Sequence, residues 1–290
     1  MSLDRKTGWL FVAPALILLA FLTIFPIFYN FYLSFHETKI TYKHIIYIWK
    51  GLENFEKIFS DSLFHDALKN TLYFMFVATA SEVLLGLGLA LLFKTKFKGK
   101  EKIVPLLLMP MMLPTIVVTA FWKTLLHPDF GAINSILEVL GLPKVNWLGD
   151  PSIAMNSIIL VDLWQWTPFV FIFLYAGVQT IPHELEEAAM VDGASTLQVY
   201  RNIVIPLLKP YLLIVTLLRL IDTFRLFDKV YALTGGGPGT ATESLTLIVY
   251  RYAFGYHLLG YAAALSLIML GLISIVILVY MSYTRGGGVL

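Results

Sequence analysis

Trp9 to Phe35 runs without a single charged residue. A helix crosses the hydrocarbon core of a bilayer with about 20 residues, so this stretch alone is long enough to span a membrane. A signal peptide has an apolar region of only about 7–15 residues. This run is longer, and no small-residue cleavage site follows it, so it reads as a retained first spanning helix. Further apolar stretches follow, and the predicted spans are 9–35, 70–93, 103–126, 153–180, 207–233 and 259–283. The fold class is therefore all-α: a polytopic transmembrane bundle of six spans in one domain over 1–290. Pro14 and Pro26 lie in the first span, where neighbouring helices tolerate them. No internal repeat is visible.

Composition agrees. Hydrophobic residues make up 58% of the chain and charged ones 14%, against about 25% charged in soluble domains. Mean hydropathy is +0.77. The net charge of +2 points to no nucleic-acid partner. With no cysteine, a disulfide scaffold, a cysteine nucleophile and a cysteine-ligated metal are excluded. No metal site and no catalytic residue is predicted.

Orientation follows the Lys/Arg content of short connections. Lys94, Lys96, Lys98, Lys100 and Lys102 crowd the link between the second and third spans and place it inside. Arg5, Lys6 and Arg285 then also lie inside, with both termini cytoplasmic. Residues 36–69 fall outside; Leu52, Phe55, Phe59 and Leu63 recur there at near-helical spacing and predict an interfacial amphipathic helix. Residues 127–152 and 234–258 are the other outer connections. Thr234-Gly235-Gly236-Gly237-Pro238-Gly239 is turn chemistry. It has no lysine in the phosphate-loop arrangement. The glycine-rich end, from Arg285 to Gly288, reads as a flexible tail.

Between the fourth and fifth spans lies a polar stretch, 182–206, on the inner side. Pro182 suits a first helical turn, and Glu184, Glu186 and Glu187 favour the positive helix end. Leu185, Ala188 and Ala189 share one face. Asp192-Gly193 ends the helix, with Gly193 in the left-handed C′ position. Ser195 and Gln198 form a capping box for a second helix, and Pro206 marks re-entry to the membrane. The product is two rigid helices about one sharp turn. A helix lying on lipid is the bland reading, but an anionic leaflet repels the acidic front half. A DNA-binding motif needs a basic recognition helix, which is missing. These signals favour a docking element for a partner protein, with the lipid-lying helix as the alternative.

Glu187-Ala188-Ala189, Gly193 and Ile203-Val204-Ile205-Pro206 resemble the EAA loop of ABC-importer permeases: E-A-A, three residues, G, nine residues, I-x-L-P. Ile205 replaces the usual leucine. Ala13-Pro14-Ala15, Phe25-Pro26, Gly51-Leu52-Glu53-Asn54-Phe55, the segment from Trp164 to Pro168 and Leu233 to Pro238 are similar to the carbohydrate-uptake branch, of maltose and glycerol-phosphate type, first permease. The resemblance implies a type I ABC importer permease fold. It implies coupling through Glu187, Ala188, Ala189, Asp192, Gly193, Ile203 and Pro206. The implied partners are a second permease in a heterodimer, two ATP-binding subunits that use ATP and Mg, an extracytoplasmic solute-binding protein, a sugar and the lipid bilayer. No cofactor is implied in this chain, and the implied location is a prokaryotic inner membrane.

Charges inside spans mark pathways by default. Arg219, Asp222, Arg225 and Asp228 alternate in sign at three-residue steps in span five. A straight helix from Lys209 puts Arg219 about 15 Å in and Asp228 about 28 Å in. Asp162, Trp164, Gln165 and Trp166 fall at about 14–20 Å in span four, and Glu82 lies near the midplane of span two. These residues supply the carboxylate, amide, guanidinium and aromatic groups a sugar pathway needs, with Asp162, Trp164, Gln165, Trp166, Arg219, Asp222 and Arg225 as candidates. Self-neutralised ion pairs that hold helices together are the equal alternative. Lys123 is expected to snorkel at the outer boundary.

Two other functions compete. A membrane-embedded enzyme needs an intramembrane histidine pair or metal cluster. His36, His44, His65, His127, His183 and His257 all fall outside the predicted spans. An ion-coupled secondary transporter has acids available, in Glu82, Asp162 and Asp222. Such transporters often have repeated halves, and it has no need of the 182–206 loop.

Overall fold

The structure is a computed structural model that describes residues 5–41, 44–95 and 97–286. Lys96 and the terminal glycines 287–288 lie outside the described residues, as do the side chains of Arg5, Lys6 and Arg285. Five of its helices are long and apolar enough to cross a membrane, and a bent pair makes a sixth. The protein is a polytopic helical bundle. It divides into two compact units, Met1–Phe64 with Ile248–Leu272 and His65–Leu247 with Ile273–Leu290.

The first unit opens with α1 (Arg5–Ser34), whose apolar side chains are exposed along the spanning stretch. It continues into a hairpin, β1 (His36–Ile40) with β2 (Ile45–Trp49), paired antiparallel. The sequence reading missed this hairpin. The expected amphipathic helix is confined to α2 (Glu53–Ser60), and Leu63 belongs to the helix that follows. Asn54 is buried and ties the corner together, donating to the carbonyls of Ser34 (2.8 Å) and His36 (3.1 Å). Gly260, at the start of α13 (Leu259–Gly286), lies so close to the His36 carbonyl that no Cβ would fit there.

The second unit holds α3 (Ser62–Lys94), α4 (Lys100–Met112), α5 (Thr115–Leu125), α6 (Ala132–Val139) and α7 (Ala154–Gln179). Next come α8 (His183–Val191), α9 (Thr196–Val199), a π-segment (Tyr200–Val204), α10 (Ile205–Phe224) and α11 (Asp228–Leu233). The short α12 (Leu245–Tyr250) leads to a second π-segment, Arg251–Gly255. Because α3 starts at Ser62 rather than near residue 70, His65 lies inside a spanning helix and not before it.

Two expected spans are not straight. The third is broken between α4 and α5, which meet at 97°. Pro114 has no N–H to continue the ladder, and it forces Leu113 into an extended conformation, with ψ of 137°. The fifth stops at Phe224. Residues Arg225–Phe227 leave helical geometry, and the Ser244 hydroxyl donates to the freed Leu226 carbonyl at 2.7 Å. Asp228 therefore does not continue the straight ladder of charges; it begins α11, which packs against α5 and α7. Lys123 does not simply reach outward, since its Nζ donates to the Ala232 carbonyl at 3.1 Å.

Two apolar clusters fill this unit. One contains Phe74, Ala78, Val118, Trp122, Ile158, Val161 and Leu226. The other contains Ala90, Phe93, Val170, Phe171, Leu174, Val204, Leu208 and Val215. Glu82 on α3, Asp162 on α7 and Arg219 on α10 fall at the seam between them.

Candidate functional site

Arg219 is the centre of that seam and is only 2% exposed. A guanidinium offers five donors in a planar fork, and here three carboxylates take four of them. Nε and Nη2 donate to Glu82 at 2.6 and 2.9 Å. Nη2 also donates to Asp162 at 3.0 Å, and Nη1 to Asp222 at 2.5 Å. The second Asp162 oxygen accepts from Lys229 Nζ at 2.5 Å. A network this dry is tolerable only because each charge has a partner.

Of the predicted pathway residues, Asp162, Arg219 and Asp222 are in direct contact. Arg225 is 69% exposed at the side chain and stands 3.6 Å from Asp222. Trp166 spreads its ring beneath the cations, 5.2 Å from the Arg219 Cζ and 5.9 Å from Lys229 Nζ. Trp166, Asp222 and Arg225 line two adjoining cavities, one of about 100 Å³ and one of about 290 Å³. This is the accessible polar space at the level of the cluster.

Two predicted residues are elsewhere. Trp164 packs edge-on against Trp122, with ring centroids 5.8 Å apart, and lines an apolar space with Leu85, Leu106 and Phe171. Residues two apart on a helix do not share a face, so Trp164 and Trp166 had to diverge. Gln165 is buried and donates to the Leu113 carbonyl at 3.2 Å. It caps the break between α4 and α5 and stands apart from the charges.

Two residues that complete the network were not among the candidates. Glu82 was visible as an intramembrane acid, and a buried acid demands a cation. Lys229 was hidden, because only the turn at Arg225–Phe227 brings it back to Asp162.

The second group of candidates lies at 182–206. The helix α8 ends in a Schellman arrangement: Ala194 N–H donates to the Ala189 carbonyl at 2.9 Å and Gly193 N–H to the Met190 carbonyl at 3.1 Å. Asp192 is the C-cap residue, and Gly193 has φ of +86°. The capping box is present, with Ser195 N–H donating to Gln198 Oε1 at 2.7 Å and Gln198 N–H to Ser195 Oγ at 3.4 Å. The second helix runs without interruption into the membrane, so α9, the π-segment and α10 form one rod of 29 residues, Thr196–Phe224. Pro206 supplies no N–H to that ladder, and the π-segment containing Ile203 lies immediately before α10.

Glu187 and Ala188 are exposed, while Ala189 turns inward against the second apolar cluster. Leu185, Met190, Val191 and Leu197 are exposed, Val191 by 87%. Glu186 faces the opposite way and forms a nearly buried ion pair with Lys94 at the end of α3. Lys94 also lies 5.4 Å from the Tyr200 ring. The lysine-rich connection and the helix pair thus share one end of this unit.

Comparison with known proteins agrees with this architecture. Residues 82–285 match the family described as binding-protein-dependent transport system inner membrane component. The chain is 37% identical to the trehalose/maltose transport system permease protein MalF of Thermococcus litoralis, over 97% of this chain and 95% of that protein. It is 33% identical to the sulfoquinovosyl glycerol transport system permease protein SmoG of Agrobacterium fabrum, over 97% and 91%. In fold it matches a chain of the crystal structure of a bacterial ABC transporter involved in the import of the acidic polysaccharide alginate. The TM-score is 0.85 at 23% identity, over 97% of both chains.

Proposed function

This chain belongs to the family of binding-protein-dependent transport system inner membrane components, and from that premise we propose that it forms the sugar pathway of an ATP-driven importer. As a member of that family it is a transport component, and ATP hydrolysis belongs to a separate subunit. It works with a solute-binding protein and ATP-binding subunits. In the finer reading it pairs with a second, different permease, two ATP-binding subunits lie beneath, and ATP and Mg are bound there and not by this chain. The helix pair, the lysine-rich connection and both termini face the cytoplasm. Relatives named for trehalose, maltose and sulfoquinovosyl glycerol support a glycoside as cargo. The exposed Trp166–Asp222–Arg225 wall then borders its path, with Asp162 and Arg219 holding that wall in place.

The observation that carries the docking role is the exposed apolar surface of α8 and α9, held on a rigid turn. Leu185, Met190, Val191 and Leu197 present it, and the Lys94–Glu186 pair fixes its base. Such a patch facing water has a cost unless another protein covers it. The small Ala188 permits close approach, and Glu187 and Asp192 offer charge at its rim.

The test is co-purification with the ATP-binding subunits from membranes. Leu197→Asp and Gly193→Pro should abolish the association while the permease still inserts and remains protease-resistant in its spans. Retention of both assembly and ATP-driven uptake in both variants would rule out this docking surface.

A further inference from the structure

Away from the charged seam, the first unit contains a cavity of about 400 Å³. That is larger than either space beside Trp166, and within the roughly 300–1,000 Å³ typical of small-molecule clefts. It is walled by the hairpin strand β1, by α2, and by the segment leading into α13. Its polar side chains are Glu37, Thr38, Asn54, Lys57, Asp61, Tyr252 and Tyr261.

These groups are organised in advance. The two tyrosine rings lie with centroids 4.4 Å apart, and both hydroxyls donate to the same Asp61 oxygen, at 3.3 and 3.1 Å. Burial and the Asp61 charge hold the Tyr252 phenol above its ordinary pKa, and the two phenols also hydrogen-bond to each other, which fixes their oxygens side by side on the cavity wall. Asn54 is 7% exposed. Its amide nitrogen is committed to Ser34 and His36, while its amide oxygen makes no hydrogen bond among the described residues. Thr38 accepts from the Gly260 N–H at 3.4 Å, which leaves its own hydroxyl hydrogen to donate.

The wall therefore alternates acceptors (Glu37, Asn54, the phenol oxygens) with donors (Thr38, Lys57). Glu37 is paired with Lys50 at 3.3 Å and Lys39 at 3.6 Å, and Lys57 with Glu53 at 2.7 Å, so the charges on this wall are compensated and a neutral ligand suits it. A ligand whose every polar group both donates and accepts satisfies this surface, and hydroxyl groups do that.

We propose that this cavity is an extracytoplasmic subsite for one glycosyl unit, separate from the space beside Trp166. It rests on the sugar-permease reading and on the orientation given above, which puts β1, α2 and Tyr252 on the outer face. The subsite would hold a sugar on the permease outside the spans, before the sugar reaches the Trp166–Asp222 wall.

The experiment uses the complete complex with its ATP-binding subunits in nanodiscs, without the solute-binding protein. Glucose, maltose, trehalose and sucrose serve as probes in saturation-transfer difference NMR. In parallel, ATP-driven uptake of each sugar is measured in proteoliposomes with the solute-binding protein present. An imported sugar should give a saturable signal in the wild type and in Trp166→Ala. In Glu37→Ala/Lys57→Met its affinity should fall roughly tenfold, about 1.4 kcal/mol, while that variant still assembles. Tyr252→Phe, which keeps the ring and removes the phenol oxygen, should give a smaller loss. A signal unchanged in the double variant, or lost in Trp166→Ala alone, overturns the subsite. An imported sugar with no saturable signal does the same and leaves the importer reading standing. Uptake of none of the four overturns the sugar reading, and the subsite falls with it.

Discussion

The Arg219 guanidinium locks α10 to α3 by gripping the Glu82 carboxylate through two hydrogen bonds, 2.6 and 2.9 Å long. Glu82 is fully buried and Arg219 nearly so. Neither group has water to fall back on, so each depends on the other and on Asp162.

Arg219→Met should cost roughly 3–5 kcal/mol, because it leaves the buried Glu82 carboxylate without its counter-charge, while Asp162 keeps only Lys229. Arg225→Met, at a side chain 69% exposed, should cost no more than about 1 kcal/mol. The measurement is the thermal unfolding midpoint of the purified complex. Removing both members in Glu82→Met/Arg219→Met should recover part of the loss, as replacement of a whole buried pair often does. Equal effects of Arg219→Met and Arg225→Met would mean that the buried network contributes nothing special.

Charge reversal tests the join between Lys94 and Glu186. Lys94→Glu or Glu186→Lys alone should reduce ATP-driven uptake by roughly tenfold, the factor corresponding to about 1.4 kcal/mol. The swapped pair, Lys94→Glu/Glu186→Lys, should restore most of it. Failure of the swap to rescue would show that each side chain acts through some other contact.

Trp166 and Trp164 should separate cleanly. Trp166→Ala and Asp222→Ala are expected to lower uptake with assembly unchanged, since both line the open polar space. Trp164→Ala should instead destabilise the fold, by roughly 3 kcal/mol if its packing on Trp122 behaves as a core contact. Uptake kinetics and thermal midpoints, measured on the same preparations, tell the two apart. Loss of assembly in Trp166→Ala would make it a packing residue as well.

The helix pair was legible in the sequence because its signals are local. Ser195 and Gln198 are three residues apart, and Gly193 follows its helix directly, so each motif carries its own geometry. The divergence of Trp164 and Trp166 was equally available from helical spacing and went unused. The break at Leu113–Pro114 was not legible. Pro105, Pro110 and Pro168 all sit within continuous helices, so a proline by itself does not announce a 97° bend. What stabilises the bend is Gln165, about fifty positions along the chain. Lys229 was hidden for the same reason: its partner Asp162 is remote in sequence, and an apolar run that continues past Phe224 masks the turn. The hairpin at His36–Trp49 was obscured because the buried positions of β1 are the polar His36 and Thr38, while β2 is an unbroken apolar run without polar alternation.

The continuity of Thr196–Phe224 has a mechanical meaning. A rod of 29 residues is about 43 Å long, and Arg219 sits about 35 Å from its foot. If α9 is pushed so that the rod pivots there by about 5°, Arg219 sweeps through about 3 Å. That displacement equals the length of the hydrogen bonds holding it to Glu82 and Asp162. A small angular stroke at the base is thereby geared up to the one distance at which the lock must open.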